Sequence, residues 1–139
     1  MTIRNLEKND AAGVALLIPQ LTKNIIDPKN LTERIGSLAD ARDCQYLVAE
    51  LEGNIVGFCG LAWYQIPSKG LVGWVEEVVV DEAFRGKGIA TTMLLRLLVL
   101  AKQKNIAVVK LTSNSSEASH VYEKLGFAKK HHEYFSLNI

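Results

Sequence analysis

The chain has 139 residues, 48% of them hydrophobic and 22% charged, with a formal net charge of +1. That length and balance fit one globular domain, residues 1–139, able to bury its own core, and exclude a disordered or collagen-like chain. There is no bulk basic field to bind nucleic acid, and the most apolar segment, Ile89–Ala101, is too short to span a bilayer and is interrupted by Arg96.

The two cysteines, Cys44 and Cys59, form neither a C-x-x-C pair nor a disulfide framework, and both sit in apolar runs. Buried thiols in a reducing cytoplasm are the expectation. The opening residues Met1–Glu7 carry no apolar stretch of signal-peptide length, which agrees with a cytoplasmic location. His120, His131 and His132 lack ligand spacing, so no metal site is expected.

In chain order, Thr2–Leu6 reads as a short strand. Asp10 then reads as the N-cap of a helix with Val14, Leu17, Ile18 and Leu21 on one face, shortened or kinked by Pro19. Asp27-Pro28 opens a second helix, with Leu31, Ile35 and Leu38 as its apolar stripe. Gln45–Leu51 and Asn54–Tyr64 are β-rich runs joined by the hairpin signal Glu52-Gly53. Val72–Val80 is a further strand whose consecutive apolar residues suit burial on both faces.

From Gly88 to about Lys104 the period becomes helical: Ile89, Met93, Leu97 and Ala101 recur on one face, widened by Leu94 and Leu98. Ala107–Leu111 is a strand. Asn114-x-x-Glu117 resembles a capping box for a last helix carrying Ala118, Val121, Tyr122 and Leu125, with Gly126 in the C-cap position. Glu133–Leu137 is expected to close the chain as a strand. Hairpins demand antiparallel pairs and the late strand–helix–strand unit demands a parallel one, so the fold class is α/β with a mixed sheet.

The segment Val78–Ala90 runs from a strand end through a basic, glycine-bearing loop into the long apolar helix. Free N–H groups at a helix N-terminus make an anion site. Gly86 and Gly88 let a ligand approach the backbone, while Arg85 and Lys87 add charge. A phosphate or pyrophosphate ligand is implied. A P-loop is excluded because Gly88 is followed by Ile89, and a dinucleotide fingerprint because Thr91 stands where its third glycine belongs.

The string Arg85-x-x-Gly88-x-Ala90 resembles instead the R/Q-x-x-G-x-G/A loop of the GNAT acetyltransferase superfamily. Val78-x-Val80 resembles that family's preceding strand motif, and Ala118-x-x-x-Tyr122-Glu123-Lys124-Leu125-Gly126-Phe127 its downstream signature. The resemblance covers residues 72–127. It implies a mostly antiparallel mixed sheet flanked by helices on both faces, acetyl-CoA as co-substrate, and N-acetylation of a primary amine of a small molecule. A protein N-terminus or lysine is the alternative acceptor, and a non-catalytic acyl-CoA sensor the alternative role.

Carried onto this chain, the strand Val78-Val79-Val80 would hold the pantetheine arm through the main-chain groups of Val78 and Val80. The N–H groups of Arg85, Gly86, Lys87, Gly88, Ile89 and Ala90 would hold the pyrophosphate. Tyr122 would protonate the leaving thiolate. Glu76 and Glu77 are the candidate bases; strand alternation would put Glu76 with Trp74, Val78 and Val80, and Glu77 with Val75 and Val79. The stretch Gly73–Asp81 resembles the acidic strand of eukaryotic glucosamine-6-phosphate N-acetyltransferases, with Trp74 in place of a histidine. Asn114 is open between a cap and a coenzyme contact, the family's asparagine falling at Ser115. Trp63, Tyr64 and Trp74 are open between core and acceptor wall. By analogy with the family, a homodimer is expected.

Overall fold

A computed structural model describes residues 1–139. Five strands lie in the order β1-β2-β3-β4-β5: Thr2–Asn5, Cys44–Leu51, Asn54–Ile66, Gly70–Val80 and Val108–Lys110. Every neighbouring pair is antiparallel except β4 and β5, which are parallel. The helices are α1 (Ala11–Ala15), α2 (Pro28–Leu38), α3 (Ile89–Gln103) and α4 (Ser116–Lys124).

Two cores sandwich the sheet. On one face Val14, Leu17 and Ile18 pack with Ile35 against Val48, Phe58 and Val79. On the other, Met93, Leu94 and Leu97 of α3 pack against Leu47, Cys59, Leu61, Val75 and Val80. Each fully buried aliphatic side chain contributes about 2 kcal/mol of transfer free energy, which explains why the regular α3 stripe dominates its local propensities. Both faces of β4 are covered, as its run of valines requires.

The β2–β3 turn is short because Glu52 and Gly53 both take positive φ, 51° and 80°, the twist a two-residue hairpin needs. Asp27 caps α2, its carboxylate accepting from Asn30 N–H at 3.1 Å.

Four expectations are corrected. Asp10 does not cap α1 with its side chain: its carboxylate receives the Arg4 guanidinium at 2.7 and 2.9 Å and, in a capping box with Glu7 one turn earlier, the Glu7 N–H at 2.8 Å. The first helix accordingly begins in a 3-10 turn, Lys8–Asp10, and α1 stops at Ala15, ahead of a second 3-10 turn around Pro19. Ser115 rather than Asn114 caps α4, its hydroxyl accepting from Ala118 N–H at 3.3 Å.

The expected closing strand Glu133–Leu137 is not a strand; those residues pair with no edge of this chain and leave Tyr134, Phe135, Leu137 and Ile139 exposed. Finally, strand alternation fails within β4. Phe58 pairs with Val79 but Gly60 pairs with Glu76, so Glu77 and Val78 together oppose Cys59. This is a β-bulge, with Glu77 at φ 55°. Val75 therefore faces α3 while Val79 faces α1 and α2.

Candidate active site

Strand β5 accompanies β4 only along Val72, Gly73 and Trp74. From Val75 to Val80, β4 has β3 on one side and no strand on the other. The gap opens into an apolar cleft of about 180 Å³ between β4, α3 and α4, lined by Val78, Val80, Ala90, Leu94, Val121 and Tyr122, with Arg85 its one charged residue.

At the N-terminus of α3, Gly86 and Gly88 take φ of 77° and 78°, and a Cβ on either would meet nothing within 4 Å. Gly88 is the N-cap, and the first backbone bond of the helix runs from Thr92 N–H to Gly88 O at 3.0 Å. The N–H groups of residues 86–91 find no acceptor of sound geometry in the protein. This is a row of unpaired donors beside open space, with the positive end of a helix behind it.

The charged side chains divide their work. Arg85 Nε donates to Val80 O at 2.9 Å, and its NH2 group reaches Gln20 Oε1 at 3.4 Å, so much of this guanidinium ties the loop to the strand end. Gln20 Oε1 also accepts from Glu82 N–H at 2.9 Å. Lys87 Nζ lies 5.4 Å from the Phe84 ring centroid. Gln20 was not singled out from the sequence; nothing local marks it, since it reaches the loop from a different part of the chain.

Tyr122 is half-buried on α4, edge-on to Phe127 with ring centroids 6.2 Å apart. Burial, with a smaller influence from Cys59, raises its phenol above the ordinary value, so it stays protonated at neutral pH. The Cys59 thiol is itself pushed up to about 12 by burial and is inert. Cys44 is half-buried rather than buried.

Glu76 and Glu77 are both exposed and neither is in an ion pair. Although the residue is exposed overall, partial burial of its carboxyl, then the neighbouring Glu76, raises Glu77 above the usual carboxylate range. The bulge sets Glu76 and Glu77 side by side where β5 has already ended, next to Val78 of the cleft lining, while neither glutamate lines the cleft itself.

Asn114 is exposed and outside the cleft lining. Trp63, Tyr64 and Trp74 do not line the cleft either: Trp74 Nε1 donates to Tyr64 Oη at 3.1 Å, and Lys104 Nζ sits 4.4 Å from the Trp63 ring centroid. Leu94, Ala118 and Val121, which do line it, were legible only as helix stripe residues. No three His, Cys, Asp or Glu side chains come together as a metal site, and no helix is long and apolar enough to cross a membrane.

The profile of the acetyltransferase (GNAT) family matches residues 15–127. The L-2,4-diaminobutyric acid acetyltransferase of Virgibacillus pantothenticus is 34% identical over 125 residues, 88% of this chain and 74% of that one. The glucosamine 6-phosphate N-acetyltransferase of Trypanosoma brucei brucei is 30% identical over 134 residues, 91% of this chain and 88% of that one. Among solved structures, glucosamine-6-phosphate N-acetyltransferase from Arabidopsis thaliana superposes with a TM-score of 0.83 at 27% identity, over 98% of this chain and 97% of that one. A Clostridium acetobutylicum predicted acetyltransferase with acetyl-CoA superposes with a TM-score of 0.78 at 27% identity, over 99% and 95% of the two chains. A splayed β4–β5 pair, a row of free amides at α3 and a family profile spanning most of the chain converge on one conclusion: this protein belongs to the GNAT family and is an acetyltransferase.

Proposed function

We propose that the protein transfers the acetyl group of acetyl-CoA to a primary amine of a small molecule by direct attack on the thioester. The observation that carries this is the row of unpaired N–H groups at residues 86–91, continuous with an apolar cleft that ends at Tyr122.

The amides fit a diphosphate: each offers a charge-assisted hydrogen bond, and the open space beside Gly86 and Gly88 admits the oxygens. The unpaired edge of β4 at Val78 and Val80 supplies main-chain partners for a pantetheine arm in the gap that β5 leaves. A main-chain N–H near Val78 supports the thioester oxygen as charge develops on it.

Two proton transfers frame the chemistry. An alkyl ammonium, with a pKa of about 10, gives a proton to Glu77, whose raised carboxyl is a stronger base than an ordinary glutamate. The freed nitrogen forms the N–C bond as the C–S bond breaks, Tyr122 gives its proton to the departing thiolate, and the second proton shed by the acylated nitrogen passes through solvent to restore the Tyr122 phenol. Glu76, next to Glu77, strengthens the attraction for a cation. Two relatives named for small amines, L-2,4-diaminobutyric acid and glucosamine 6-phosphate, support a small acceptor.

A homodimer is part of the same reading. The C-terminal Tyr134, Phe135, Leu137 and Ile139 are exposed, and β5, paired on one side only, leaves a sheet edge that a second copy's segment would complete. Light scattering should give twice the chain mass; a monomer rules the pairing out.

The deciding experiment is thiol release from acetyl-CoA across a panel of amines, beside a calorimetric titration with coenzyme A. Binding heat together with amine-dependent thiol release is expected. Binding without release to any amine would mean a sensor, and no binding would remove the reading altogether.

A further inference from the structure

The strand β3 lies between β2 and β4, and at one level it carries no side chain. Tyr46 on β2, Gly60 on β3 and Glu76 on β4 form a single cross-strand row. A Cβ at Gly60 would stand 2.3 Å from the Tyr46 ring, far inside contact distance. Glycine there is what lets the ring lie over β3. The ring is also stacked on Phe58, with centroids 5.0 Å apart and planes 17° from parallel. Phe58 is buried in the core and pairs with Val79, just past the bulge.

The phenol is thus clamped on the α1–α2 face of the sheet beside the two glutamates. Its hydroxyl makes no hydrogen bond within the protein. Every buried side-chain nitrogen or oxygen is partnered, so this unpartnered hydroxyl opens to the surface. Tyr122, the other unpartnered phenol near the bulge, belongs to the opposite face.

We propose that Tyr46 is an acceptor-binding residue, its hydroxyl accepting a hydrogen bond from the substrate ammonium while Glu77 takes the proton. This rests on the acetyltransferase reading and goes beyond it by naming what holds the amine. A primary ammonium entering a half-desolvated site needs acceptors for its N–H groups, because an unmet donor costs most of its hydration. One N–H goes to the Glu77 carboxylate and a second to Tyr46. Burial, then Cys44, Glu76 and Glu77, raises the Tyr46 phenol well above its usual value, so it remains a neutral acceptor and does not compete for the proton. The arrangement favours an unhindered primary amine, since an N-methyl group would meet the ring where an N–H should meet its oxygen.

The test is Tyr46→Phe, which keeps the ring, the stack on Phe58 and the fit over Gly60. With the best amine of the panel, the amine KM should rise about tenfold while the acetyl-CoA KM and the coenzyme A Kd stay at wild-type values. Gly60→Ala should displace the ring and lower kcat/KM for the amine alone, and in the Tyr46→Phe background it should add less than its single effect. If Gly60→Ala does not fold, Tyr46→Phe decides alone. An unchanged amine KM, or equal rises for both substrates, overturns the role of Tyr46 while leaving the acetyltransferase reading standing. A wild-type protein that binds coenzyme A yet acetylates no amine overturns both.

Discussion

Gly88 and Gly53 make a matched pair for testing the anion loop. Both are left-handed, φ 78° and 80°, and a Cβ at either meets nothing within 4 Å. Alanine at each therefore suffers the same backbone penalty without a clash, about 1 kcal/mol, or a loss of about 3–5 °C in Tm for a chain of this size. Only Gly88 stands among the unpaired amides of residues 86–91; Gly53 sits in the β2–β3 hairpin. At Gly88 the methyl group would occupy the space a diphosphate needs and turn neighbouring N–H groups away from it. Losing one charge-assisted hydrogen bond is worth about 1.5–3 kcal/mol, or roughly 10- to 150-fold in Kd. Calorimetry with coenzyme A on both variants should show that loss for Gly88→Ala and wild-type affinity for Gly53→Ala, at similar Tm. If Gly88→Ala binds coenzyme A as well as Gly53→Ala does, the loop does not hold the diphosphate.

Three further outcomes follow from the geometry. Tyr122→Phe should lower kcat by about 10²-fold or more with little change in coenzyme A affinity, since the ring and its contact with Phe127 remain; stopped-flow or steady-state thiol release measures it. A base must be deprotonated, so activity should rise with pH through the raised Glu77 value, and Glu77→Gln should both slow the reaction and remove that acid limb from the kcat profile. Hydrogen bonds from Arg4 hold the Asp10 carboxyl below its ordinary value, so the stability it contributes is full above about pH 4 and is lost as pH falls through the lowered folded value. Asp10→Asn should cost about 2–3 kcal/mol at pH 7 and less in acid, read by urea unfolding at both pH values.

What the sequence disclosed divides along physical lines. Features set by neighbours in the chain were legible: the Ile89–Ala101 stripe, the Glu52-Gly53 hairpin, the Asp27 cap and the glycine-bearing loop all depend on residues within a few positions. Features set by partners elsewhere were not. Asp10 is a good cap in isolation, but Arg4, brought beside it as β1 joins the sheet, captures its carboxylate. The bulge at Glu77 is marked by no glycine, so alternation wrongly put Glu76 on one face with Val78 and Val80, and Val75 on one face with Val79. The notch beneath Tyr46 needs β2 and β3 in register before Gly60 means anything. Glu133–Leu137 has strand composition, but it pairs with neither edge of its own sheet, and composition alone makes no strand. Asn114 and Ser115 are both good caps by type, and it is Ser115, extended in its backbone, whose hydroxyl takes the Ala118 N–H.

The extra residue in β4 also constrains how such a strand can change. Deleting Glu77 would restore regular pleating and leave Val78, Val79 and Val80 opposite Cys59, Phe58 and Gly57, so every valine would keep its layer. Deleting Val78 instead would put the Glu77 carboxylate in its place against the α3 layer. The two cores thus fix the valines of this stretch and leave the extra residue at Glu77 to be kept by what the surface there must do.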